Sequence, residues 1–395
     1  MANKIRNTNI GKILIASDSF KGAASALEVC DAIENGIKQV CPKVKTIKIP
    51  MADGGEGTIS ALITATKGRL INKIVTGPLG ERVKAKFGIL GDNKTAVIEM
   101  AEASGLPLVP VEKRNPMKTT TYGTGELIKY AMEKGCEKFI IGIGGSATVD
   151  GGAGVAQALG AKLVDKRGKE IGFGGGSLSK LFKIDISSMD KRIKACDFEV
   201  ACDVDNPLCG KNGAAYVYAP QKGATKTQVH VLGRALSHFA NIVYRDTGIK
   251  IDTLPGSGAA GGLGAGLVAF LGARLKSGVE LVINASGIEK HIRDADLVIT
   301  GEGKIDGQTI FGKTPIGVAK LAKKYGKPVI GICGMVDEGY EKVYKNGIDA
   351  IVTEFSSSLN IQEQMGQCKK LIQQITANAM RLVVICCSRE MRGII

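Results

Sequence analysis

Strand and helix patterns alternate at both ends of the sequence. The apolar run KILIAS precedes a helical pattern that begins after Ser25, and the strand KTIKIPM precedes a second helical pattern. The alternation returns near Asp296, where the strand DLVIT ends near Thr300 and a helix follows with Pro315 in its first turn. The strands PVIGICG and DAIVTE and a long helix from about Ile361 complete the series. Repeated strand–helix units predict a parallel sheet packed against helices.

The middle of the sequence has a different pattern. RLINKIVTGPLG, ERVKAKFGIL and KTAVIEMAE follow one another without room for crossover helices, and RVKAKFGIL alternates as a half-exposed antiparallel strand does. We therefore predict an α/β protein in which residues 1–75 and 290–395 form one doubly wound domain. Residues 76–289 form an inserted mixed α/β domain. Ligands of such sheets bind at the carboxyl ends of the strands, and we expect the active site in an interdomain cleft.

The charge and the cysteines narrow the class of protein. The net charge of +15 fits nucleic acid, anionic membranes or small anionic substrates, but the Lys and Arg residues are scattered and no nucleic-acid-binding motif occurs. The ten cysteines form no C-x-x-C pair and many lie in apolar runs, which indicates free thiols and no zinc site. The polar N-terminal segment shows no secretory signal. We expect a cytoplasmic enzyme, monomeric or homodimeric, that binds neither nucleic acid nor membranes.

Three glycine motifs resemble nucleotide-binding patterns. GQTIFGKT, residues 307–314, matches the Walker A pattern, but GEGKID separates it from the preceding strand, so we interpret it as another kind of phosphate-contacting loop before a helix capped by Thr314. GSGAAG, residues 256–261, does not follow a strand. GIGGSA, residues 142–147, follows the strand KFIIGI but lacks an acidic ribose ligand. Neither is predicted to bind a dinucleotide.

Carboxylates occur where predicted strands run into glycine loops. One such residue indicates a turn or a helix cap, but five loops with this feature, two of which carry Lys21 and Lys304, indicate phosphoryl transfer. The histidines have no nucleophile partner, and no G-x-S-x-G or H-E-x-x-H motif occurs, which argues against acyl transfer and zinc hydrolysis. The carboxylates are Asp18, Asp53, Glu56, Asp150, Asp203, Asp205, Glu302 and Asp306.

The same loops carry a family resemblance. DSFKG, MADGGEGT, TTYGTGELI, GIGGSAT, DGGAG, ACDVDNPLCG, GAAGGLG, GEGKIDGQT and GKTPIGVA, in this order, resemble the type I glycerate kinases over residues 12–382. The resemblance implies a flavodoxin-like domain formed by both chain ends, with the active site between it and the inserted domain. It also implies a kinase that uses ATP and Mg²⁺ to phosphorylate D-glycerate, and we expect the 2-hydroxyl to be the acceptor.

The resemblance implies a set of site residues. Our hypothesis makes Asp203 the general base, with Asp18 as the next candidate, and places Lys21 and the loop at Ser19 against the glycerate carboxylate. The catalytic residues are thus Asp203, Asp18 and Lys21, and the substrate-binding residues are Ser19, Lys21, Asn206 and Asp150. ATP is expected to contact Gly144, Gly145, Ser146, Gln308 and Lys313. Mg²⁺ is expected to be held by Asp53, Glu56, Glu302 and Asp306.

Two departures from the family pattern concern the substrate. Ala23 stands where the family often has Ser, and Val149 stands where it often has Asn. Both differences bear on which substrate is preferred more than on the type of reaction. A kinase of another small hydroxy acid or sugar acid remains an alternative, as does a basic nucleic-acid-binding protein without catalytic activity. The residues after Leu382 fall outside the resemblance.

Overall fold

The computed structural model describes residues 10–353 and 360–387. The strands are β1 Lys12–Ser17, β2 Lys45–Lys48, β3 Arg69–Thr76, β4 Arg82–Ile89, β5 Thr95–Glu99, β6 Lys138–Gly142, β7 Lys162–Val164, β8 Lys183–Asp185, β9 Asp197–Ala201, β10 Arg274–Lys276, β11 Leu297–Ile305, β12 Val329–Val336 and β13 Ala350–Thr353. The helices are α1 Ala26–Val40, α2 Thr58–Thr66, α3 Ala101–Ser104, α4 Tyr122–Glu133, α5 Ala153–Ala158, α6 Ala214–Tyr218, α7 Lys226–Thr247, α8 Ala259–Leu271, α9 Gly278–Ser286, α10 Ile288–Arg293, α11 Thr314–Lys324 and α12 Ile361–Cys387.

The chain divides into two compact units. The first contains the chain up to Asp53, Thr64–Thr66 and the chain from Val282, and the second contains Gly54–Ile63 and Lys67–Leu281. The mixed α/β class predicted from the sequence is confirmed. The predicted domain limits at residues 75 and 290 stay predictions.

The first unit is built on a five-stranded sheet. Its strand order is β13-β12-β11-β1-β2, and every pairing is parallel. Alternate residues of the strands face opposite sides, so Ile13 and Ile15 share one apolar core with Ile299 and Ile332. Helices α1 and α12 pack on this core, while α11 contacts β11, β1 and β12. The strand–helix alternation read at both chain ends is therefore confirmed.

Strand β11 is longer than the sequence pattern predicts. DLVIT indicated an end near Thr300, but the strand continues to Ile305 because its later residues pair with β12, as Ile305 does with Val336. The polar and glycine residues in GEGKI conceal this extension, because they lack the apolar signal by which a strand is recognised.

Helix α1 begins where its sequence predicts. The Ser25 side chain accepts a hydrogen bond from the Glu28 N–H, and the Glu28 carboxylate accepts one from the Ser25 N–H, which forms a capping box. Val29, Ile33 and Ile37 recur at helical spacing and are buried against the sheet. The helix is thus specified by both its cap and its apolar face.

The second unit is built on a six-stranded mixed sheet in the order β10-β9-β6-β5-β4-β3. The hairpin β3–β4 and the pair β4–β5 are antiparallel, which confirms the prediction for this segment, and the remaining pairings are parallel. The Phe139 and Phe198 rings of β6 and β9 stack at a centroid distance of 4.6 Å in its core. A second core contains the apolar face of the amphipathic helix α7 and residues of α5, α6 and α8. The sheet carries β6 and its following glycine loop at its centre.

Two further predictions concern the whole chain. All nine cysteines whose side chains the structure describes are free thiols, as predicted. No helix in the described part of the chain combines the length and the apolar character needed to span a membrane.

Candidate active site

The parallel sheet of the first unit reverses its strand order between β1 and β11. From β1 the chain moves to β2 on one side and later returns to β11 on the other side. Ligands of open α/β sheets bind at the carboxyl ends of the strands at such a point. Asp18 directly follows β1, and Glu302 lies in the last part of β11. Two predicted site residues therefore lie where this topology places ligands.

Asp18 is a buried carboxylate with two fixed partners. Its Oδ1 accepts a hydrogen bond from the Ser19 N–H at 2.6 Å, and its Oδ2 accepts one from the Thr314 hydroxyl at 2.7 Å. Burial raises the pKa of Asp18 from 3.8 to about 6; Thr314 lowers it and the nearby charge of Asp53 raises it. The carboxylate is held rigidly, and its negative charge is only partly compensated.

Glu302 belongs to a second group of paired charges. Its Oε1 accepts a hydrogen bond from the Thr309 hydroxyl at 2.6 Å, and its Oε2 lies 3.5 Å from Lys313 Nζ. Burial raises the pKa of Glu302, Thr309 and Lys313 oppose this, and the charge of Asp18 adds to the rise. Lys313 Nζ is also 3.7 Å from an oxygen of Asp306. Lys313 thus forms ion pairs with two carboxylates, those of Glu302 and Asp306.

Asp306 is the better compensated of these carboxylates. Burial acts to raise its pKa, but Lys304, 3.0 Å away, and the Gln308 N–H outweigh burial and lower it. The Gln308 side chain is exposed. Lys304 also pairs with Asp337 at 3.2 Å. Asp306 therefore carries a stable negative charge that orders the loop after β11.

Lys21 and Asp53 form the third pair. Lys21 Nζ lies 3.5 Å from Asp53 Oδ2, and 76% of the lysine side chain is exposed. An exposed ion pair of this length is weak, so Lys21 is able to exchange its partner for an anionic ligand at little cost. Ser19 lies beside it, with its hydroxyl 3.3 Å from Asp18 Oδ1.

These groups open onto one cavity of about 390 Å³ within the first unit. Helix α12 supplies an apolar wall on its other side. Six of the residues predicted as site residues line it: Asp18, Ser19, Lys21, Asp53, Glu302 and Lys313. The structure therefore brings together carboxylates, lysines and a hydroxyl from three separate segments of the sequence.

The GQTIFGKT loop does not form a Walker A cradle. It does follow a strand closely, because β11 extends to Ile305, so the spacing argument against a Walker A motif was wrong. The decisive observation is that its N–H groups bond within the protein: Gly307 N to Glu338 O, Phe311 N to Gln308 O and Lys313 N to Thr309 O. These N–H groups are therefore not turned inward around an anion as in a phosphate loop.

The prediction that Thr314 caps helix α11 is also wrong. The N-cap residue is Lys313, whose side chain makes no capping hydrogen bond, and Thr314 is the first helical residue. Its hydroxyl is directed to Asp18 instead. Thr309 and Thr314 are candidate functional residues, and the sequence did not predict the contacts of their hydroxyl groups with Glu302 and Asp18. Their only signal was a place in the motif, because β1 and the start of α11 are far apart in sequence and meet only in the fold.

In the second unit, the glycine loop after β6 keeps its predicted place at a strand end. Gly144 and Gly145 are exposed and Ser146 is buried. The Leu106 N–H bonds to Gly145 O and the Ala147 N–H bonds to Ser104 O, which fix both sides of the loop. Gly145 adopts a φ of 73°, which a side chain would strain.

Asp150 lies inside the second unit. Its carboxylate is 1% exposed and accepts hydrogen bonds from the Thr121 N–H at 2.8 Å, the Thr121 hydroxyl at 2.9 Å and the Gly152 N–H at 3.1 Å. Burial raises its pKa, and these donors oppose the rise. This set of contacts makes Asp150 an anchor for the starts of α4 and α5. Its role in substrate binding stays a prediction.

Asp203, Asn206 and Glu56 also belong to the second unit. Asp203 is exposed after β9, and its Oδ1 accepts a hydrogen bond from the Gly278 N–H at the start of α9 at 3.1 Å. Asn206 is held on both sides: its amide donates to Asn212 O at 3.0 Å and its Oδ1 accepts from the Tyr218 hydroxyl at 2.7 Å. Glu56 is exposed. Asp203 is thus oriented by a bond from the Gly278 N–H and remains accessible.

The described residues contain no group of three His, Cys, Asp or Glu side chains arranged as a metal site. The metal-binding roles of Asp53, Glu56, Glu302 and Asp306 stay predictions. The donor chemistry nevertheless fits Mg²⁺, which prefers carboxylate oxygens. The negative charge of Asp18 repels that of Glu302 and raises the pKa of Glu302. A divalent cation would relieve this repulsion.

Comparison with known proteins places the chain in a family. A model of the glycerate kinase family matches residues 13–384. The chain is 56% identical to glycerate 2-kinase of Escherichia coli (strain K12) over 352 residues, which cover 89% of this chain and 92% of that protein.

Further relatives agree over nearly the same span. A glycerate kinase of Halalkalibacterium halodurans is 53% identical over 366 residues, 93% of this chain and 96% of that protein. The crystal structure of a Salmonella typhimurium LT2 protein with the name glycerate kinase 2 is 49% identical and has a TM-score of 0.86, covering 94% of this chain and 98% of that one. With its carboxylate and lysine loops in the family order, the chain belongs to the glycerate kinase family.

Proposed function

We propose that the chain transfers the γ-phosphoryl group of ATP to D-glycerate, at the 2-hydroxyl, to give 2-phospho-D-glycerate and ADP. The observation that carries this proposal is the cavity where buried Asp18 and half-buried Glu302 meet Lys21 and Lys313 at the strand-order reversal. Carboxylates and lysines in this arrangement suit phosphoryl transfer, in which positioning and charge neutralisation supply most of the catalysis. The names of the relatives, glycerate kinase and glycerate 2-kinase, support the choice of substrate and of hydroxyl.

Glycerate binding is assigned to the loop after β1. Lys21 is exposed and loosely paired, so its ammonium is available to the glycerate carboxylate, and Ser19 lies next to it. Asn206 is orientated by two hydrogen bonds and is assigned to a substrate hydroxyl. Asp150 retains its proposed role, although all its observed contacts are within the protein.

Asp203 is assigned as the general base. Its carboxylate accepts the proton of the glycerate hydroxyl as the hydroxyl oxygen attacks the γ-phosphorus and the bond to ADP breaks. The exposed position of Asp203 and the orienting hydrogen bond that it accepts from the Gly278 N–H support this role. Asp18, with its raised pKa, is the alternative base.

ATP is assigned to donors in both units. Gly144, Gly145 and Ser146 would donate to phosphate oxygens, and Gln308 and Lys313 would contact them from the loop before α11. We propose Mg²⁺ as the metal, held by Asp53, Glu302 and Asp306 with Glu56 as a further ligand. When bound, Mg²⁺ neutralises charge that develops on the transferred phosphoryl group.

We further propose that the first unit has the flavodoxin-like doubly wound arrangement. Renumbered within the sheet, its strand order is 2-1-3-4-5, the order of that fold. The packing of α1 and α12 on one apolar core, and the contact of α11 with β11, support helices on both faces of the sheet.

A cytoplasmic location is supported by the free thiols, which a reducing compartment maintains. The oligomeric state, monomer or homodimer, and the absence of a nucleic-acid partner belong to the same proposal.

The experiment that tests the function is ³¹P NMR of the products formed from ATP, Mg²⁺ and D-glycerate. The expected result is ADP and a new resonance with the chemical shift and proton coupling of 2-phosphoglycerate. A 3-phosphoglycerate signal would contradict the assigned hydroxyl. A panel of other hydroxy acids and sugar acids, assayed by ADP release, is the control. If one of them is phosphorylated faster than D-glycerate, that compound and not glycerate is the substrate.

A further inference from the structure

Lys222 is a buried cation to which the proposed reaction assigns no role. It ends the short turn Pro220–Lys222, and only 2% of the residue is exposed. Its Nζ donates hydrogen bonds to Ser146 Oγ at 2.5 Å and to the Thr148 carbonyl at 2.7 Å. Burying an ammonium group costs free energy unless its charge is compensated by an anionic partner or by hydrogen bonds. The contact with Ser146 connects this cation to the glycine loop after β6.

The glycine loop presents unpaired donors next to this contact. Within the described part of the chain, the N–H groups of Gly144, Gly145 and Ser146 donate no hydrogen bond, although both sides of the loop are fixed by Ser104 and Leu106. Successive unpaired N–H groups in a loop that is fixed on both sides can bind an anion. This observation is independent of Lys222.

The Ser146 hydroxyl links the two features. Its oxygen accepts the hydrogen bond from Lys222, so its own hydrogen is left to donate elsewhere. The described structure shows no acceptor for that hydrogen. A donor hydroxyl polarised by a cation strengthens the bond it gives to an anion.

We propose that Lys222 is a positioning residue for ATP, whose buried ammonium holds Ser146 so that its hydroxyl donates to the same phosphate as the N–H groups of Gly144 and Gly145. The inference rests on the proposed function, since it takes the phosphates of ATP as the anion. What it adds is the role of the buried Lys222 ammonium, which acts on the nucleotide only through Ser146.

The position of Lys222 makes ATP binding dependent on pH. Burial lowers the pKa of Lys222 to about 7, and the negative charge of Asp150, the charged side chain that acts on it among the described residues, opposes this change. As the pH rises through about 7 in the free protein, the ammonium loses its proton and the loop loses its cation. A bound phosphate favours the charged form, so ATP binding above that pH takes up a proton.

The test is the dissociation constant of ATP, measured by calorimetry without glycerate at several pH values and in two buffers of different ionisation enthalpy. Wild type is expected to bind ATP about tenfold more weakly at about pH 8.5 than at about pH 6.5, with proton uptake at the higher pH. Lys222→Gln keeps two N–H donors without a charge and is expected to bind about tenfold or more weakly at the lower pH, to lose that pH dependence and to take up no such proton. Lys226→Gln, an exposed lysine in the first turn of α7, is the matched control and should behave as wild type.

Ser146→Ala provides a second route, should Lys222→Gln fail to fold. It removes the acceptor and leaves the lysine in place, and it is expected to weaken ATP binding by a similar factor, with no further loss in the double variant. Wild-type affinity and pH dependence in either folded variant would overturn the inference. If wild-type protein binds ATP as described but does not phosphorylate glycerate, the proposed function fails and the role of Lys222 stands. If wild type is active and Lys222→Gln matches it at every pH, the inference alone fails.

Discussion

Asp18 and Asp203 show how residues of one type acquire different properties from their surroundings. Asp18 is buried, has two fixed donors and has a pKa raised to about 6. Asp203 is exposed after β9 and is held by the Gly278 N–H. A carboxylate with a raised pKa in a cavity marks a functional site, because its burial costs stability that a bound ligand can restore. An exposed carboxylate is better suited to meet a substrate hydroxyl.

Asp203→Asn is expected to lower kcat by about 10²- to 10⁴-fold, because the amide cannot accept the hydroxyl proton. The KM for ATP should change little, since Asp203 is not assigned to the nucleotide. Steady-state kinetics of ADP release measure both constants. Asp205→Asn, a neighbouring exposed carboxylate with no assigned role, is the matched control. If Asp203→Asn keeps near-normal kcat, the base assignment passes to Asp18.

Asp18→Asn is expected to stabilise the protein while it reduces activity. The folded state raises the pKa of Asp18 from 3.8 to about 6, so the neutral form is favoured on folding and the ionised form at pH 7 is destabilising. The neutral amide avoids this penalty, which corresponds to about 1 to 3 kcal/mol. The increase in the free energy of unfolding, relative to wild type, should grow as the pH rises from about 4 to 6 and should vanish below about pH 4.

The measurement for Asp18→Asn is the thermal midpoint of unfolding in the absence of ligand, at several pH values. Asp205→Asn, the same change at an exposed carboxylate, is the matched control and should leave the midpoint unchanged. A variant that is less stable than wild type at pH 7, or a gain that is constant down to pH 4, would show that ionised Asp18 is not the source of the cost.

At the scale of elements, helices α1 and α12 approach each other closely because α1 carries a glycine at the contact. A Cβ on Gly36 would lie 2.5 Å from the Gln373 carbonyl oxygen and 2.7 Å from Thr376 Cβ. Both helices pack on the core of the sheet whose strand β1 precedes Asp18 and whose strand β11 contains Glu302. The two helices come from opposite ends of the sequence, so their packing joins the chain ends into the first unit.

Gly36→Ala is therefore expected to destabilise the first unit by about 1 to 3 kcal/mol, since backbone atoms of α12 have to move to accommodate the methyl group. Gly366→Ala in α12 is the matched control. A Cβ at Gly366 meets no atom within 4 Å, so alanine there should stabilise the helix by up to about 1 kcal/mol. Denaturant unfolding followed by circular dichroism compares the two variants. Equal effects of both would show that helix propensity, and not close packing, determines the result.

At the scale of the whole molecule, the predicted site residues are divided between two compact units. The chain has a net charge of +15, and its described cysteines are free thiols, most of them buried or half-buried. The excess positive charge favours anionic ligands such as glycerate and ATP. The stability of the fold comes from its apolar cores and not from cross-links.

Dithiothreitol is accordingly expected to leave the thermal midpoint of unfolding unchanged, because no disulfide constrains the described chain. In a thiol titration of the native protein, Cys386 should react rapidly, whereas the buried Cys30 and Cys333, whose pKa values burial raises to about 12 and about 11, should react only after denaturation. A fall of the midpoint on reduction would reveal a cross-link.

The sequence by itself determined the mixed α/β class, most element positions, the family and six of the residues that line the cavity, because apolar periodicity, caps and glycine loops are local signals. Only the tertiary structure decided which of those residues meet. The Thr314 hydroxyl reaches Asp18 across 296 positions, β11 continues through polar residues because β12 pairs with it, and Lys222 lies beneath Ser146. Burial and pairing between distant segments set these contacts and the pKa values that follow from them, and no local pattern records such pairings.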